Sequence, residues 1–161
     1  MINNYLSNGG FDVTIPRIPN VEFFVQKMVL PSIDANPVER STPLSSVYDV
    51  SDRLRYNDFD LTFIIDENMR NYIEIFDWMK GINSPETLNQ YAALEDSKDG
   101  ITSDITVLLL NSHKNPHIRI TMINAFPVGL TSVDLNLVNQ DVTYAEASVT
   151  FRYDRFLIEQ L

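Results

Sequence analysis

Residues 57–80 read NDFDLTFIIDENMRNYIEIFDWMK, and two structural periods meet inside them. In the first half Phe59, Leu61, Phe63 and Ile65 share one side while Asp58, Asp60, Thr62 and Asp66 take the other, interrupted only by Ile64. That is the period-2 pattern of a strand with one dry and one wet face. The period then switches. Met69, Tyr72, Ile73, Phe76 and Met79 or Lys80 follow i, i+3, i+4, i+7 spacing, which predicts an amphipathic helix over about 66–80. Asp66 or Asn68 is the expected cap, Glu67 and Lys80 complement the helix dipole, and Gly81 is expected in the left-handed conformation at the end. Trp78, with Ile75 and Ile82, lies off this stripe; it widens the core-facing band or, if exposed, marks a subunit interface.

Toward the N-terminus, Phe11, Val13 and Ile15 alternate with Asp12 and Thr14 until Pro16, giving a first strand. A turn at Ile18–Asn20 leads to VEFFVQKMVL (21–30), where Val21, Phe23 and Val25 share a face, so a hairpin with the first strand is expected. Residues 31–53 hold Pro31, Pro37 and Pro43 among Ser, Thr and Asp, which predicts an extended segment without a full hydrogen-bond ladder. Connections of that length are usually functional or disordered. With Val38, Leu44, Val47, Tyr48, Val50 and then Leu54, this one is too apolar for a linker, and it reads as an arm that docks on a subunit surface.

Toward the C-terminus, Ser84-Pro85 can open a short second helix to about Leu94, and the acidic stretch 95–100 reads as a loop. ITVLLLN (105–111) is apolar on both faces, as a central strand would be, with a turn from His113 to His117. Ile118, Ile120 and Met122 resume the alternation, Pro127-Val128-Gly129 breaks it, Val133, Leu135 and Leu137 restart it, and a last strand carries Val149, Phe151 and Tyr153. About seven strands around one good helix predict a mainly β (α+β) domain over residues 1–161: a β-sandwich or small barrel with a flanking helix.

Composition narrows function. The 161 residues are 44% hydrophobic, enough for a real core, and the absence of cysteine removes disulfides, thiolate nucleophiles and cysteine-bound zinc. With 22 acidic against 12 basic residues the formal charge is -10, which opposes a DNA-gripping surface. MINNYLSNGG (1–10) lacks a basic signal-peptide start, and no apolar run is long enough to span a bilayer, so neither secretion signal nor membrane anchor is expected. His113 and His117 are four apart, but Asn115-Pro116 forbids the helix that would align them, and no carboxylate completes a metal site. Asp99-Gly100 would place Thr106 where a calcium loop needs a bidentate glutamate. Asp58 and Asp60 are better read as the wet face of a sheet than as paired catalytic acids. There is no nucleophile elbow or glycine-rich phosphate loop, so no enzyme activity and no cofactor are expected.

The run LRYNDFDLTFIIDENMRNYIEIFDWMKGIN (54–83), with FPVGLTSVDLNL (126–137) and ASVTFRYDRFLIE (147–159), resembles the tail-tube family of contractile-tailed bacteriophages, and within it the tail-completion or tube-terminator proteins. The resemblance implies a virion protein, assembled in the host cytoplasm, that forms a hexameric ring coaxial with the tail tube and stacked around a DNA-conducting lumen. Its partners would be sister copies, the tube protein, and neck or sheath-terminating proteins, with DNA passing unbound. A main tube subunit, a baseplate tube initiator and a secretion-system tube subunit share the fold; a small ligand-binding sandwich is the rival from another class. On this reading Asp58, Asp60, Ser132, Asp134, Glu146, Ser148 and Thr150 are candidates for a polar face lining the bore or facing the sheath, and Val38, Leu44, Val47, Tyr48, Val50, Leu54 and Trp78 for a subunit interface.

Overall fold

In the computed structural model, residues 6, 10–22, 24–51, 53–85, 88–95, 100–135 and 144–161 are described. The longest strand, β9 (Pro116–Leu130), organises the rest by serving two sheets. Its first half pairs with β8 (Ser103–Leu110) and with β11 (Arg155–Gln160), while β1 (Phe11–Thr14) adds to the far side of β8. Its second half pairs with β10 (Glu146–Arg152), which pairs with β7 (Phe59–Ile64), which pairs with β2 (Val25–Val29). All pairings are antiparallel, and the result is a sandwich of two four-stranded sheets joined through one bent strand.

The switch between sheets falls at Asn124, three residues before the break expected at Pro127-Val128-Gly129. Asn124 takes φ 56°, its N–H donates to Asp104 Oδ1 and its side chain to Asp154 Oδ2. Asparagine tolerates this left-handed conformation far better than a β-branched residue. Pro127 does not end the strand, because the register with β10 shifts between Thr150 and Phe151, and a bulge is where a sheet accepts proline. The strand expected over Val133–Leu137 is absent from residues 131–135, where Leu135 is 79% exposed; Leu137 lies outside the described residues.

Both inner faces fill one core. Phe59, Leu61 and Phe63 of β7 with Val149 and Phe151 of β10 meet Val13, Ile105, Val107, Ile120 and Met122 of the opposite sheet. Each such side chain contributes about 1.5–3 kcal/mol by burial. The alternation of β7 is therefore a true one-sided stripe.

Helix α2 (Arg70–Asn83) closes the core, but on a different face from the one its spacing suggests. Asn71, Ile75, Trp78 and Gly81 are buried, whereas Ile73 and Phe76 are 48% and 51% exposed. Trp78 is thus a core residue at 3% exposure and not an interface residue. Its ring lies 6.1 Å from Phe151, its Nε1–H donates to Ile101 O, and the Arg17 guanidinium sits over its face at 5.1 Å. The helix ends also differ from expectation. Met69, in the left-handed conformation, occupies the N-cap with no side-chain cap bond, and Gly81 stays helical while the Ser84 N–H closes the last turn on Lys80 O. The short helix α3 (Leu88–Glu95) follows close to its expected place.

At the N-terminus the expected hairpin does not form. Val21 is buried in a one-turn helix, α1 (Pro19–Glu22), which carries the chain from one sheet to the other, so β1 and β2 become edge strands of different sheets. The final strand β11 was hidden in the sequence: the chain turns after Tyr153 and RFLIEQ crosses back to pair with β9.

Candidate functional site

The outward face of the second sheet gathers five of the seven candidate polar residues. Across β7 and β10 the register sets Thr150 opposite Asp60, Ser148 opposite Thr62 and Glu146 opposite Ile64. Thr150 Oγ1 donates to Asp60 Oδ1 at 2.7 Å, Thr62 and Ser148 hydroxyls lie 2.9 Å apart, and Arg152 Nη1 bonds Asp58 Oδ1 at 2.5 Å. Asp58, Asp60, Ser148 and Thr150 therefore form one laced surface, with Glu146 exposed at its end. Ser132 and Asp134 are not part of it: both are exposed in the irregular segment after β9. Thr62, which the alternation put on the wet face, belongs to this surface, as do Arg152 and Thr131, which were not singled out from sequence. Thr131 follows β9 and its Oγ1 accepts the Ser148 N–H at 2.8 Å. The signal was available for Arg152, two residues beyond Thr150 on the same side of a strand.

Chemically the β7 side of this face is internally paired. Each exposed acid on the β7 side has a partner, and the Arg152–Asp58 pair is half-exposed, so its net worth is at most about 1 kcal/mol. Among the described residues no three His, Cys, Asp or Glu side chains cluster as metal ligands.

The 31–53 segment forms the arm, but its backbone is paired within itself. β3 (Ile33–Ala35) pairs with β6 (Leu54–Tyr56), and above them β4 (Val38–Ser41) pairs with β5 (Ser46–Asp49) as a hairpin whose tip is closed by the Thr42 N–H on Ser45 O. Prolines 31, 37 and 43 fall between the strands, so the segment carries two short ladders and, as expected, no full one. The six apolar candidates of the arm, Val38, Leu44, Val47, Tyr48, Val50 and Leu54, are all exposed, Leu44 at the tip by 98%.

At the base of the arm stands an aromatic corner. Tyr56 meets Phe156 edge-on at 5.5 Å and Tyr153 at 6.2 Å, and Tyr153 Oη donates to Asn57 O at 2.8 Å. Burial, reinforced by the charge of Asp58, pushes the Tyr153 hydroxyl up to about 12.

A family model described as phage tail tube protein matches residues 2–159. No curated protein sequence matches the chain. Among solved structures, the anti-feeding prophage tube terminating cap superposes with a TM-score of 0.71 at 15% identity, covering 100% of this chain and 95% of that one. The sheath/tube terminator of the PVC extracellular contractile injection system in its extended state gives 0.70 at 18% identity, covering 99% of each chain. The PVC sheath-tube complex gives 0.66 at 18% identity, covering 99% of this chain and 95% of that one. At these identities the likeness is one of fold.

Proposed function

The chain belongs to the phage tail tube protein family, and from that premise we propose that it is a non-enzymatic virion protein whose copies, six to a ring, close coaxially with the tail tube and terminate it. The observation that carries the reading is the arm. Two ladders of three and four residue pairs have no core of their own, and an isolated two-stranded hairpin is marginal in water. Yet the arm exposes seven large apolar side chains, Ile33 besides the six candidates, which a neighbouring copy would cover.

Other exposed apolar side chains accompany it among the described residues, including Met69, Ile73 and Phe76 on α2, Leu157, Ile158 and Leu161 at the C-terminal end, Val29 and Leu30 at the end of β2, and Leu88 and Tyr91 on α3. A closed ring of identical subunits consumes two complementary patches per copy. The exposed apolar side chains beyond those two patches remain for an axial contact with a tube end.

The laced face of the second sheet suits a bore. Arg152 is already engaged by Asp58, and Asp60 by Thr150, on a chain of net charge -10. Apart from Lys27, which β2 sets opposite Thr62 on the same face, such a surface presents few donors to phosphates, so DNA would pass without being gripped.

Electron microscopy of the purified protein, alone and with preformed tubes, tests this. Rings that cap tube ends are expected; long self-made tubes would reassign the protein as the main tube subunit or an initiator. Monomers at every concentration, with or without tubes, would sink the ring reading.

A further inference from the structure

The chain leaves the sandwich after the buried Pro31 and returns at Asn57, and between those points the arm strands pack chiefly on one another. Two crossings of the chain would by themselves leave such a lever free to swing. Both crossings are tied together, however. The Asn57 N–H donates to Ser32 O at 3.1 Å, and Asn57 Nδ2 reaches Ser32 Oγ and Asp34 Oδ2, each at 2.7 Å. The tied pair is then held to the sandwich from one side. Tyr153, buried at the end of β10, donates its hydroxyl to Asn57 O, while its ring and that of Phe156 on β11 enclose Tyr56, the last residue of β6.

We propose that Tyr153 and Phe156 form a clasp that fixes the direction of the arm before a neighbouring copy is met, which makes Tyr153 a positioning residue for assembly. The physical reason is entropic. A lever that must be ordered at the moment of association subtracts that cost from the contact it makes, whereas a pre-oriented lever does not. The site is well chosen for it: β10 and β11 are the strands on either side of the turn at Asp154, whose N–H is bonded to Ile123 O of β9, so the clasp is built on strands laddered to β9. The arm side contributes a backbone carbonyl and one aromatic ring, so the contact fixes orientation without depending on the arm's own sequence beyond Tyr56.

The inference rests on the ring reading for its purpose but not for its test. In the full-length chain, Tyr153→Phe removes the hydroxyl and keeps the ring. Hydrogen exchange on dilute, unassembled protein reports the arm directly. Amides of β3 to β6 are expected to exchange about five-fold faster in the variant, the factor that loss of one ordinary hydrogen bond carries, with β8 and β9 unchanged. The concentration at which half the protein enters rings or caps is expected to rise by a similar factor. Unchanged arm exchange would overturn the clasp, and so would equal acceleration in the arm and in β8 and β9, which would make Tyr153 a merely structural residue. If Tyr153→Phe does not fold, Tyr56→Leu probes the same contact from the arm side with the same two outcomes. If the wild-type chain never assembles, the ring reading fails while the exchange comparison still decides the clasp.

Discussion

Replacing Asn71 by leucine is expected to cost about 2–4 kcal/mol of folding stability, although it inserts a better helix former into a buried position. Asn71 is 0% exposed and spans the turn between β7 and α2: its Oδ1 accepts the Asp66 N–H at 3.2 Å and its Nδ2 donates to Ile64 O at 2.8 Å. Leucine leaves that donor and that acceptor unsatisfied beside the core, at about 1–3 kcal/mol each, partly offset by about 1–2 kcal/mol of added apolar burial. For a domain of this size each kcal/mol moves Tm by roughly 2–4 °C, so Tm should fall by about 5–15 °C. Trp78 is the only tryptophan and is buried, so its fluorescence during urea titration reads the midpoint directly. A lower midpoint with unchanged slope is expected. Asn71→Asp sharpens the test: a buried carboxylate would face the Ile64 carbonyl at neutral pH, while its protonated form restores a donor, so this variant should gain on wild type as pH falls. Stability of Asn71→Leu within about 0.5 kcal/mol of wild type, the range of ordinary surface substitutions, would refute the assignment of this turn to Asn71.

Leu44→Asp, at the arm tip, should leave the urea midpoint unchanged and abolish ring or cap formation in electron micrographs; normal assembly would remove the tip from the interface. Ile73→Ser with Phe76→Ser, on the outer side of α2, should lower stability by no more than about 1 kcal/mol while raising the concentration needed for assembly, measured by sedimentation. Asn124→Val should cost about 1–3 kcal/mol, since a β-branched residue is strained at φ 56°; thermal denaturation checks it, and an unchanged Tm would mean the bend can relax. Tyr153 is held neutral in the folded state with its hydroxyl pushed up to about 12, against an ordinary value of 10.0. The folded state binds the proton more tightly, so this stabilisation is complete below pH 10 and is lost as pH rises toward 12, on the order of 1–2 kcal/mol. Tyr153→Phe should remove that part of the alkaline decline in urea midpoint.

The strands were legible where one face is dry. Phe59, Leu61 and Phe63 give an alternation that only one register can bury, and the central strand around Ile105–Leu110 announces itself by being apolar on both sides. What was not legible depends on partners distant in sequence. The turn at 153–154 divides two strands that join different sheets, and Pro127 reads as a stop until its bulge against Phe151 is known. The same holds for the polar face. Asp58, Asp60, Ser148 and Thr150 were readable from alternation, but Ser132 and Asp134 were placed there by a strand that does not form in residues 131–135. The arm was visible as an apolar excess among prolines, whereas its self-pairing was not, because ladders of three or four residues leave almost no period to detect.

Helix α2 shows most clearly why spacing alone misplaced a face. Its sequence carries two apolar stripes at helical spacing, Met69–Ile73–Phe76 and Ile75–Trp78–Ile82, and periodicity fixes the interval within each but not which one turns inward. The phase is set at the junction with β7, where the Asn71 side chain bonds Asp66 and Ile64 and thereby rotates Trp78 onto Phe151 and Ile75 into the core. A helix that served only to cover one core would need one stripe, and selection for solubility would have made the other polar. Keeping Ile73 and Phe76 half-exposed makes sense if that side meets another protein surface. The buried asparagine therefore links stability to assembly: the bonds that rotate one stripe into the core are what leave the other facing out.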